Sequence, residues 1–434
     1  MIEQVIALLL GTFYGLIIGI IPGAGATTGL VALFPFISFF IGLHDPYAVV
    51  VFIMAVVAAS TTGDTYTSVL LGIPGASSSA ATMIDGFPLA LQGKADYAIS
   101  AAVTTSTING LIWGGLVFFL LPWYSNLILI FGIPELWAFT VLALSTIVFL
   151  SNKWWIRGLI ALGIGIFLGL VGMNPATAAD RFTFGWDYLA GSIQLLPMVV
   201  GLFAIPEMLE SFINRASTAP KGSYKGQTID GIKAVWTHRW LALRGGVIGA
   251  FIGALPGLGG AMADWVAYGQ AVATTKNPDP PFGKGNIRGV IGPEGANNAQ
   301  KATSMVPTVL FGIPGAPFAA IVMSLFLYLG FDLGTVEIAS DQKFFDSMLY
   351  GFMFATILVG VICLFATKYI TMIAKIPYIY YFPFLLVFMV WSCVQYTGGW
   401  EDYAILGLCS TLGIGAKYFK FSRPALLFGF ILAE

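Results

Sequence analysis

The chain has 434 residues, of which 58% are hydrophobic and only 9% are charged. A soluble globular domain carries roughly 45–50% apolar and about 25% charged residues, so the composition excludes an ordinary water-soluble enzyme or a disordered protein. The formal net charge of −1 offers no basic surface for nucleic acid. We therefore predict an all-α polytopic membrane protein.

Apolar runs of about 20 residues are the candidate membrane spans. The clear ones are residues 99–121, 134–150, 157–173, 190–206, 345–367, 379–395 and 403–416. Residues 1–93 and 241–330 are also apolar, but Pro-Gly pairs interrupt them, so we expect short or broken helices there. The last apolar segment, 425–434, is about 10 residues short of a span, and we expect the natural sequence to continue.

Lysine and arginine residues in loops predict the orientation. The longest basic loop is 207–240, which we place in the cytoplasm as a linker between two halves, 1–206 and 241–434. Counting spans from this loop also places Lys94 in the cytoplasm. The acidic loop 331–342 then lies outside.

Two sequence motifs occur twice in the same order. Val69–Ala76 recurs as Val309–Ala316 with seven of eight residues identical, and Gly19–Ala26 recurs as Gly253–Gly260 with four of eight identical. The offsets are 240 and 234 residues, so the chain is predicted to contain two repeats. The first repeat leads into a cytoplasmic loop and the second into an outer loop, which predicts that the repeats have inverted topology.

Inverted repeats with helices broken at matching positions are typical of secondary transporters, whose substrates bind at the breaks. A break exposes backbone groups that must line a cavity or contact a ligand, and the N-terminus of a half-helix favours a carboxylate. The predicted substrate-binding residues are Pro22, Gly23, Ala24, Gly25, Pro74, Gly75, Ala76, Ser77, Ser78, Pro256, Gly257, Gly259, Asn297, Asn298, Pro314, Gly315 and Ala316. The breaks are predicted to be broken helices or re-entrant hairpins; the alternative is a simple kink or turn.

Oxygen-rich side chains near the breaks are candidates for a coupling ion, either Na⁺ or H⁺, because hard cations prefer oxygen ligands. They are Asp64, Thr65, Ser68, Asp264 and Glu294. Asp64 has an alternative role as a helix cap, and Asn297 and Asn298 as caps in a solvated loop. Lys301 either pairs with a substrate carboxylate or extends to the membrane interface. No metal site beyond Na⁺ and no organic cofactor are predicted.

The chain also resembles the large membrane subunit of tripartite tricarboxylate transporters, from about residue 10 to the C-terminus. The matching stretches are 21–25, 63–76, 85–88, 255–257, 282–285, 293–299 and 311–315. The resemblance implies a carrier of small carboxylates in the bacterial inner membrane. It also implies a smaller membrane subunit and a periplasmic substrate-binding protein as partners, and a cation gradient as driving force. Asp64 and Lys301 depart from the commonest pattern of the family.

Three other functions remain as alternatives. A stand-alone carboxylate carrier would need no binding protein. A channel would show flux that does not saturate. An intramembrane enzyme has little support, because Thr62-Gly63-Asp64 lacks a partner aspartate in a matched context and the Ser77–Ser79 run lacks a nearby base.

Overall fold

The computed structural model describes residues 2–21, 25–36, 40, 45–72, 74–128, 155–173, 179–213, 226–256, 259–373, 378–394, 399–431 and 433. Of the predicted site residues, Pro22, Gly23, Ala24 and Gly257 lie outside these ranges, as does the predicted span 134–150.

The first half of the described chain is helical apart from one two-stranded ribbon, in which β1 (Gly172–Met173) pairs antiparallel with β2 (Asp180–Arg181). Its helices are α1 (Ile2–Ile20), α2 (Gly25–Val31), α3 (Pro46–Leu71), α4 (Thr82–Leu91), α5 (Ala95–Ile128), α6 (Trp155–Gly169), α7 (Asp187–Ala190), α8 (Leu195–Val199) and α9 (Ile205–Ile213). Short 3₁₀ turns cover Phe34–Phe36 and Ser77–Ser79, and a π-helical turn over Val200–Ala204 joins α8 to α9.

The second half is also helical. Its helices are α10 (Thr228–Thr237), α11 (Arg239–Ala254), α12 (Gly259–Thr274), α13 (Arg288–Phe311), α14 (Pro317–Tyr328), α15 (Val336–Ser340), α16 (Gln342–Ile373), α17 (Tyr378–Val394), α18 (Glu401–Tyr418) and α19 (Arg423–Ile431). Helix α10 lies within the segment predicted to be a linker, and the division into halves at that segment stays a prediction.

Four described helices are long and apolar enough to cross a membrane: residues 2–20, 46–71, 95–123 and 342–370. The all-α polytopic membrane fold is therefore confirmed. The expectation of short or broken helices in residues 1–93 and 241–330 is wrong for α1, α3 and α13, which are 19, 26 and 24 residues long. The breaks come after these helices, and the shorter helices α2 and α4 follow the breaks.

The two halves pack in the same way around their glycines. In the first, α1 lies against α3, and a Cβ added at Gly15 would be 2.7 Å from the Val56 carbonyl oxygen. In the second, α11 lies against α13, and a Cβ added at Gly249 would collide with the Ala296 carbonyl oxygen. These close backbone contacts repeat with the same offsets, 234 and 240 residues, that relate the sequence motifs.

Helices α3 and α13 end alike. Each stops at a glycine in the left-handed region, Gly72 and Gly312, both with φ of 65°. This conformation is the usual helix C-cap and is accessible to glycine without strain. The conserved geometry of the two ends explains why Gly-Ile-Pro-Gly occurs at both: glycine terminates the helix and the following proline cannot continue it.

A second group of helices packs beside the helices that carry the repeated motifs. Helix α19 lies along α6, and α18 lies along the π-helical turn. Contacts to the repeats run through α2, which touches the π-helical turn, and α14, which touches α8. The starts of α2 and α14 therefore lie where the two groups of helices meet.

Candidate functional site

A cavity of about 140 Å³ lies where the segments that follow all four breaks converge. Its wall includes Gly25–Thr27, Ala76–Ser78, Gly259–Ala261 and Ala316–Phe318, together with Lys301, Phe203, Arg423 and Pro424. Segments about 50 and 240 residues apart in sequence thus share one cavity, which a set of independent kinks would not produce.

The cavity is suited to an anion. Lys301 and Arg423 lie on its wall, and no aspartate or glutamate is among the described residues that line it. Helices α12 and α14 begin at this wall and direct the positive ends of their dipoles at it, although α14 starts with Pro317, which has no N–H group. Each cation also lies against a phenylalanine ring of the wall, Lys301 over Phe318 and Arg423 over Phe203.

Asp64 lies behind this wall, in the buried centre of α3. Its Oδ2 accepts a hydrogen bond from the Ser78 hydroxyl at 3.5 Å, and Ser78 itself lines the cavity. The interpretation of Asp64 as a helix cap is wrong, because α3 begins at Pro46 and continues past Asp64 to Leu71. Asp64 instead places a carboxyl group inside the helical core, next to the first Gly-Ile-Pro-Gly break.

Glu294 of α13 brings a second carboxyl group close to Asp64, and the two interact electrostatically. Its Oε1 accepts a hydrogen bond from Thr65 Oγ1 at 3.0 Å. Asn297 lies beside both carboxyl groups, and Thr82 lies beside Glu294. Four buried oxygens here have no hydrogen bond of standard geometry: Asp64 Oδ1, Glu294 Oε2, Asn297 Oδ1 and Thr82 Oγ1. The side chains of Asn297 and Thr82 therefore satisfy these carboxyl groups only weakly, and the cluster of buried oxygens suits a small cation or a proton.

Asp264 connects the two repeats at another point. It is buried in α12, and its Oδ2 accepts a hydrogen bond from the Ala81 backbone N–H at 2.6 Å. Ser68 donates from its hydroxyl to Ser79 Oγ at 2.8 Å, which ties α3 to the 3₁₀ turn after the break. Ser68 thus positions the turn that carries Ser77 and Ser78.

Asn297 and Asn298 lie in the middle of α13, so the alternative of a solvated loop is wrong. Asn298 points away from the cavity: its Nδ2 donates to the Ser106 carbonyl of α5 at 3.4 Å and to Thr62 Oγ1 at 3.5 Å. The polar stretch was misread because its hydropathy is that of a loop. Its polar residues at 294, 297, 301, 304 and 308 follow the period of a helix, a signal that the sequence did contain.

Lys301 is only 7% exposed and lines the cavity, so its alternative as an interfacial residue is wrong. Sequence reasoning missed Arg423 and Phe203 altogether, because both lie more than 100 residues from the nearest preceding repeated motif. Among the predicted substrate-binding residues, Gly25, Ala76, Ser77, Ser78, Gly259 and Ala316 line the cavity. Pro74, Gly75, Pro256, Asn297, Asn298, Pro314 and Gly315 do not.

Gly75 and Gly315 have a packing role that is the same in both halves. A Cβ at Gly75 would be 2.6 Å from the Cβ of Asp64, and one at Gly315 would collide with Ser304, the residue 240 positions after Asp64. The Gly315 N–H also donates to Thr308 Oγ1 at 3.0 Å. These glycines let the segment after each break return along its own helix.

Asp85 holds together two stretches that the family resemblance singled out. Its Oδ1 accepts hydrogen bonds from the backbone N–H groups of Gly283, Gly285 and Asn286 at 2.8 to 2.9 Å, and its Oδ2 accepts one from the Tyr268 hydroxyl at 3.0 Å. This carboxylate therefore fixes the loop between α12 and α13 against α4. Within the described residues, no three histidine, cysteine, aspartate or glutamate side chains lie close enough to hold a metal ion.

Comparison with known proteins gives a consistent assignment. The model of the tripartite tricarboxylate transporter TctA family matches residues 5–428. An uncharacterized 52.8 kDa protein in the TAR-I ttuC' 3'region of Agrobacterium vitis is 29% identical over 97% of this chain and 83% of its own length. An uncharacterized protein in the TAR-II ttuC' 3'region of the same organism is 31% identical over 42% of this chain and 76% of its own length.

No solved structure matches the chain. The family model, by contrast, covers almost all of it, including the four breaks, the cavity and the apolar spanning helices. The chain therefore belongs to the tripartite tricarboxylate transporter TctA family, as a multi-pass membrane component of a transporter and not an enzyme.

Proposed function

We propose that the chain is the carrier subunit that moves a small di- or tricarboxylate into a bacterium across the inner membrane. In this proposal a periplasmic binding protein delivers the substrate, a smaller membrane subunit accompanies the carrier, and a Na⁺ or H⁺ gradient drives uptake. The observation that carries the proposal is the single cavity at which all four breaks converge with two cationic side chains.

The substrate binds in this cavity. One carboxylate pairs with Lys301 and a second with Arg423, and backbone N–H groups at the start of α12 donate to further carboxylate oxygens. Ser77 and Ser78 add hydroxyl donors from the first repeat. Hydrogen bonds between charged groups contribute about 1.5–3 kcal/mol each, or roughly 10–100-fold in affinity. A substrate with two carboxylates therefore binds much more tightly than one with a single carboxylate.

The coupling ion binds behind the wall, between Asp64 and Glu294. Their carboxyl oxygens, with the side-chain oxygens of Asn297 and Thr82, provide the oxygen ligands that Na⁺ prefers, and either carboxyl group can instead take a proton. Asp264 also interacts electrostatically with Asp64 and Glu294, so these carboxyl groups outnumber the Lys301 ammonium, and a bound cation or proton would offset part of their charge.

Ser78 supports coupling between the two sites, because its hydroxyl bonds to Asp64 while the residue lines the substrate cavity. A cation or proton bound to Asp64 weakens the hydrogen bond that Asp64 accepts from the Ser78 hydroxyl. The hydroxyl can then donate to the substrate instead. Both ligands thus act on one short segment, Ala76–Ser78, directly after a helix break.

We further propose that the carrier works by alternating access between inverted repeats. Contacts at the helix ends support this arrangement. The start of α3 lies at the same end of the molecule as the loop predicted to face outward: Tyr47 donates a hydrogen bond to Asp341 at 2.9 Å, and the neighbouring Asp45 N–H donates to Glu3. At the other end of the molecule Gln92 donates to the Lys284 carbonyl at 3.0 Å, so the end of α4 meets the loop that leads into α13.

The test is uptake of labelled carboxylates by proteoliposomes that contain the chain with its small membrane subunit. Citrate, succinate and acetate are compared with and without the binding protein, under an imposed Na⁺ or pH gradient. We expect saturable uptake of citrate or succinate that requires the binding protein and follows one gradient, and no uptake of acetate. Acetate uptake at a comparable rate would contradict the two-carboxylate site.

Variants connect the result to the cavity. Lys301→Gln and Arg423→Gln are each expected to raise the substrate concentration at half-maximal uptake by about 10–100-fold. Lys420→Gln is the matched control, since Lys420 is exposed, near Arg423 in sequence and absent from the cavity wall. Equal effects of all three changes would remove the cavity from the proposal. Full uptake without the binding protein would favour the stand-alone carrier.

A further inference from the structure

A second polar pocket, of about 250 Å³, lies at the opposite ends of α11 and α12 from the breaks. It is bounded by the start of α11, the end of α12 and the start of α13. Its lining includes three basic side chains, Arg244, Lys276 and Arg288, together with His238 and the hydroxyl of Thr275. Within the part of the chain that the structure describes, no aspartate or glutamate lines it. We call it the basic pocket.

The electrostatics of the basic pocket favour an anion. Three of its side chains carry a positive charge at neutral pH. Burial, and to a lesser degree the neighbouring Arg288 charge, holds the pKa of His238 below its usual value. None of the described residues in the pocket wall has an acidic side chain to offset these charges. An oxyanion with several oxygens fits this set of donors, because guanidinium groups bind phosphate oxygens through paired N–H groups.

The position of the pocket along α11 identifies the source of the anion. Trp240 lines the pocket and is 68% exposed. Val247 and Phe251 are also exposed and lie seven and eleven residues further on, which places all three on one side of the helix. A tryptophan at the end of an exposed apolar stripe is typical of the interface between membrane and water. The pocket therefore lies at the depth of the lipid phosphates, with an apolar surface directly below it.

Helix α12 supplies a second apolar border. Val272 is exposed one turn before Lys276 and Thr275, so apolar surface also borders the pocket on this side. A free phosphate ion would use the charges but neither apolar surface. A phospholipid would use both, its phosphate in the pocket and its acyl chains along α11.

We propose that the basic pocket binds the phosphate group of an anionic phospholipid, with its acyl chains packed along Val247 and Phe251. The lipid bridges the start of α11, the end of α12 and the start of α13 through Arg244, Lys276 and Arg288. These are the ends of helices that carry the third and fourth breaks, so the lipid stabilises the frame that holds those breaks. The site is separate from the substrate cavity and does not depend on the substrate or the coupling ion.

The test is native mass spectrometry of the full chain in neutral detergent, titrated with phosphatidylglycerol or phosphatidylcholine of the same acyl chains. The chain is expected to bind one phosphatidylglycerol with clear preference over phosphatidylcholine. Each basic residue near a lipid phosphate contributes about 1 kcal/mol, so Arg244→Gln/Lys276→Gln is expected to weaken this binding about 30-fold.

The matched control is Arg239→Gln/Lys284→Gln. It removes the same two charges from exposed residues at the same helix start and in the same interhelical loop, but neither residue lines the pocket. It is expected to bind phosphatidylglycerol like the wild type. Equal loss in both double variants, or equal binding of both lipids, would overturn the proposal.

Two additional arms keep the result interpretable. Lys276→Gln alone changes an exposed residue beyond the end of α12, so it leaves the fold intact and is expected to weaken binding about 5-fold. Thermal melting with inorganic phosphate tests the other source of the anion. Stabilisation by millimolar phosphate that equals the stabilisation by phosphatidylglycerol would contradict a lipid site.

Discussion

The two halves of the molecule share a framework and differ in their chemistry. Gly75 and Gly315 pack in the same way against the helix that precedes each break, but their contacts are Asp64 in the first half and Ser304 in the second. The segments that follow the breaks differ as well, with Ser77–Ser79 in one and Pro317–Ala319 in the other. The backbone geometry is thus repeated, whereas the groups that would bind substrate and ion are not.

This difference shows which features depend on backbone packing and which depend on a ligand. Glycines at helix contacts and helix ends recur because any side chain would collide with backbone atoms. Asp64, Glu294 and Lys301 have no charged counterpart at the positions 240 residues away, which are Ser304, Met54 and Thr61. A buried charge without a structural counterpart is a functional hypothesis in a membrane protein.

The substitution with the largest expected effect replaces Asp64 by serine, the residue type at the corresponding position of the second half, Ser304. Asp64→Ser is expected to lower gradient-driven uptake at least about 100-fold, because the first carboxyl group of the proposed ion site is lost. Uptake in proteoliposomes measures this effect, and Asp346→Asn at the start of α16 serves as control. Gradient-driven uptake within twofold of the wild type would exclude Asp64 from coupling.

Asp85→Ala is expected to lower stability by several kcal/mol. It leaves the N–H groups of Gly283, Gly285 and Asn286 without their common acceptor, and each buried unpaired group costs about 1–3 kcal/mol. Thermal melting in detergent measures the loss. The second half has Leu325 at the corresponding position, so this latch belongs to the first half alone. An unchanged melting temperature would show that the loop is held by other contacts.

Gly75→Ala and Gly315→Ala test whether the two breaks have the same backbone packing. Each added methyl group collides with the preceding helix, so both are expected to lower stability by about 1–3 kcal/mol and by similar amounts. Gly163→Ala is the control, because a Cβ at Gly163 has no heavy atom within 4 Å. If only one of the two substitutions lowers the melting temperature, the breaks are not equivalent.

Ser78→Ala is expected to have the smallest effect. It removes one weak hydrogen bond to Asp64 and one hydroxyl from the cavity wall, together about 1 kcal/mol. The ion concentration at half-maximal uptake should shift severalfold while the maximal rate changes little. A shift in substrate dependence alone, with no change in ion dependence, would disconnect Ser78 from the ion site.

The sequence predicted the parts of the site that depend on backbone pattern. The Pro-Gly pairs and their repetition predicted four breaks, and residues after all four now line one cavity. Side chains whose role depends on how deeply they are buried were harder to predict from the sequence. The spacing of Asn297 and Lys301 indicates a helix, but no sequence signal shows that this polar face is buried, because the burial comes from packing against α5, α11 and α12.

Arg423 lies beyond the reach of the repeat argument. It is more than 100 residues after the last break, and only the packing of α19 beside the π-helical turn brings it to the cavity. A tertiary contact of this kind has no local pattern in one sequence. Asp85 is similar, since its partners are backbone groups almost 200 residues away.

The central claim, that both repeats contribute to one substrate site, is tested most directly by cysteine protection. The three native cysteines, Cys363, Cys393 and Cys409, are buried, so single cysteines at Ser77 and Ala261 can be labelled against a low background. We expect citrate to slow the labelling of Ser77→Cys and Ala261→Cys alike, and to leave exposed Ser340→Cys unchanged. Protection at one repeat only, or at neither, would contradict the account.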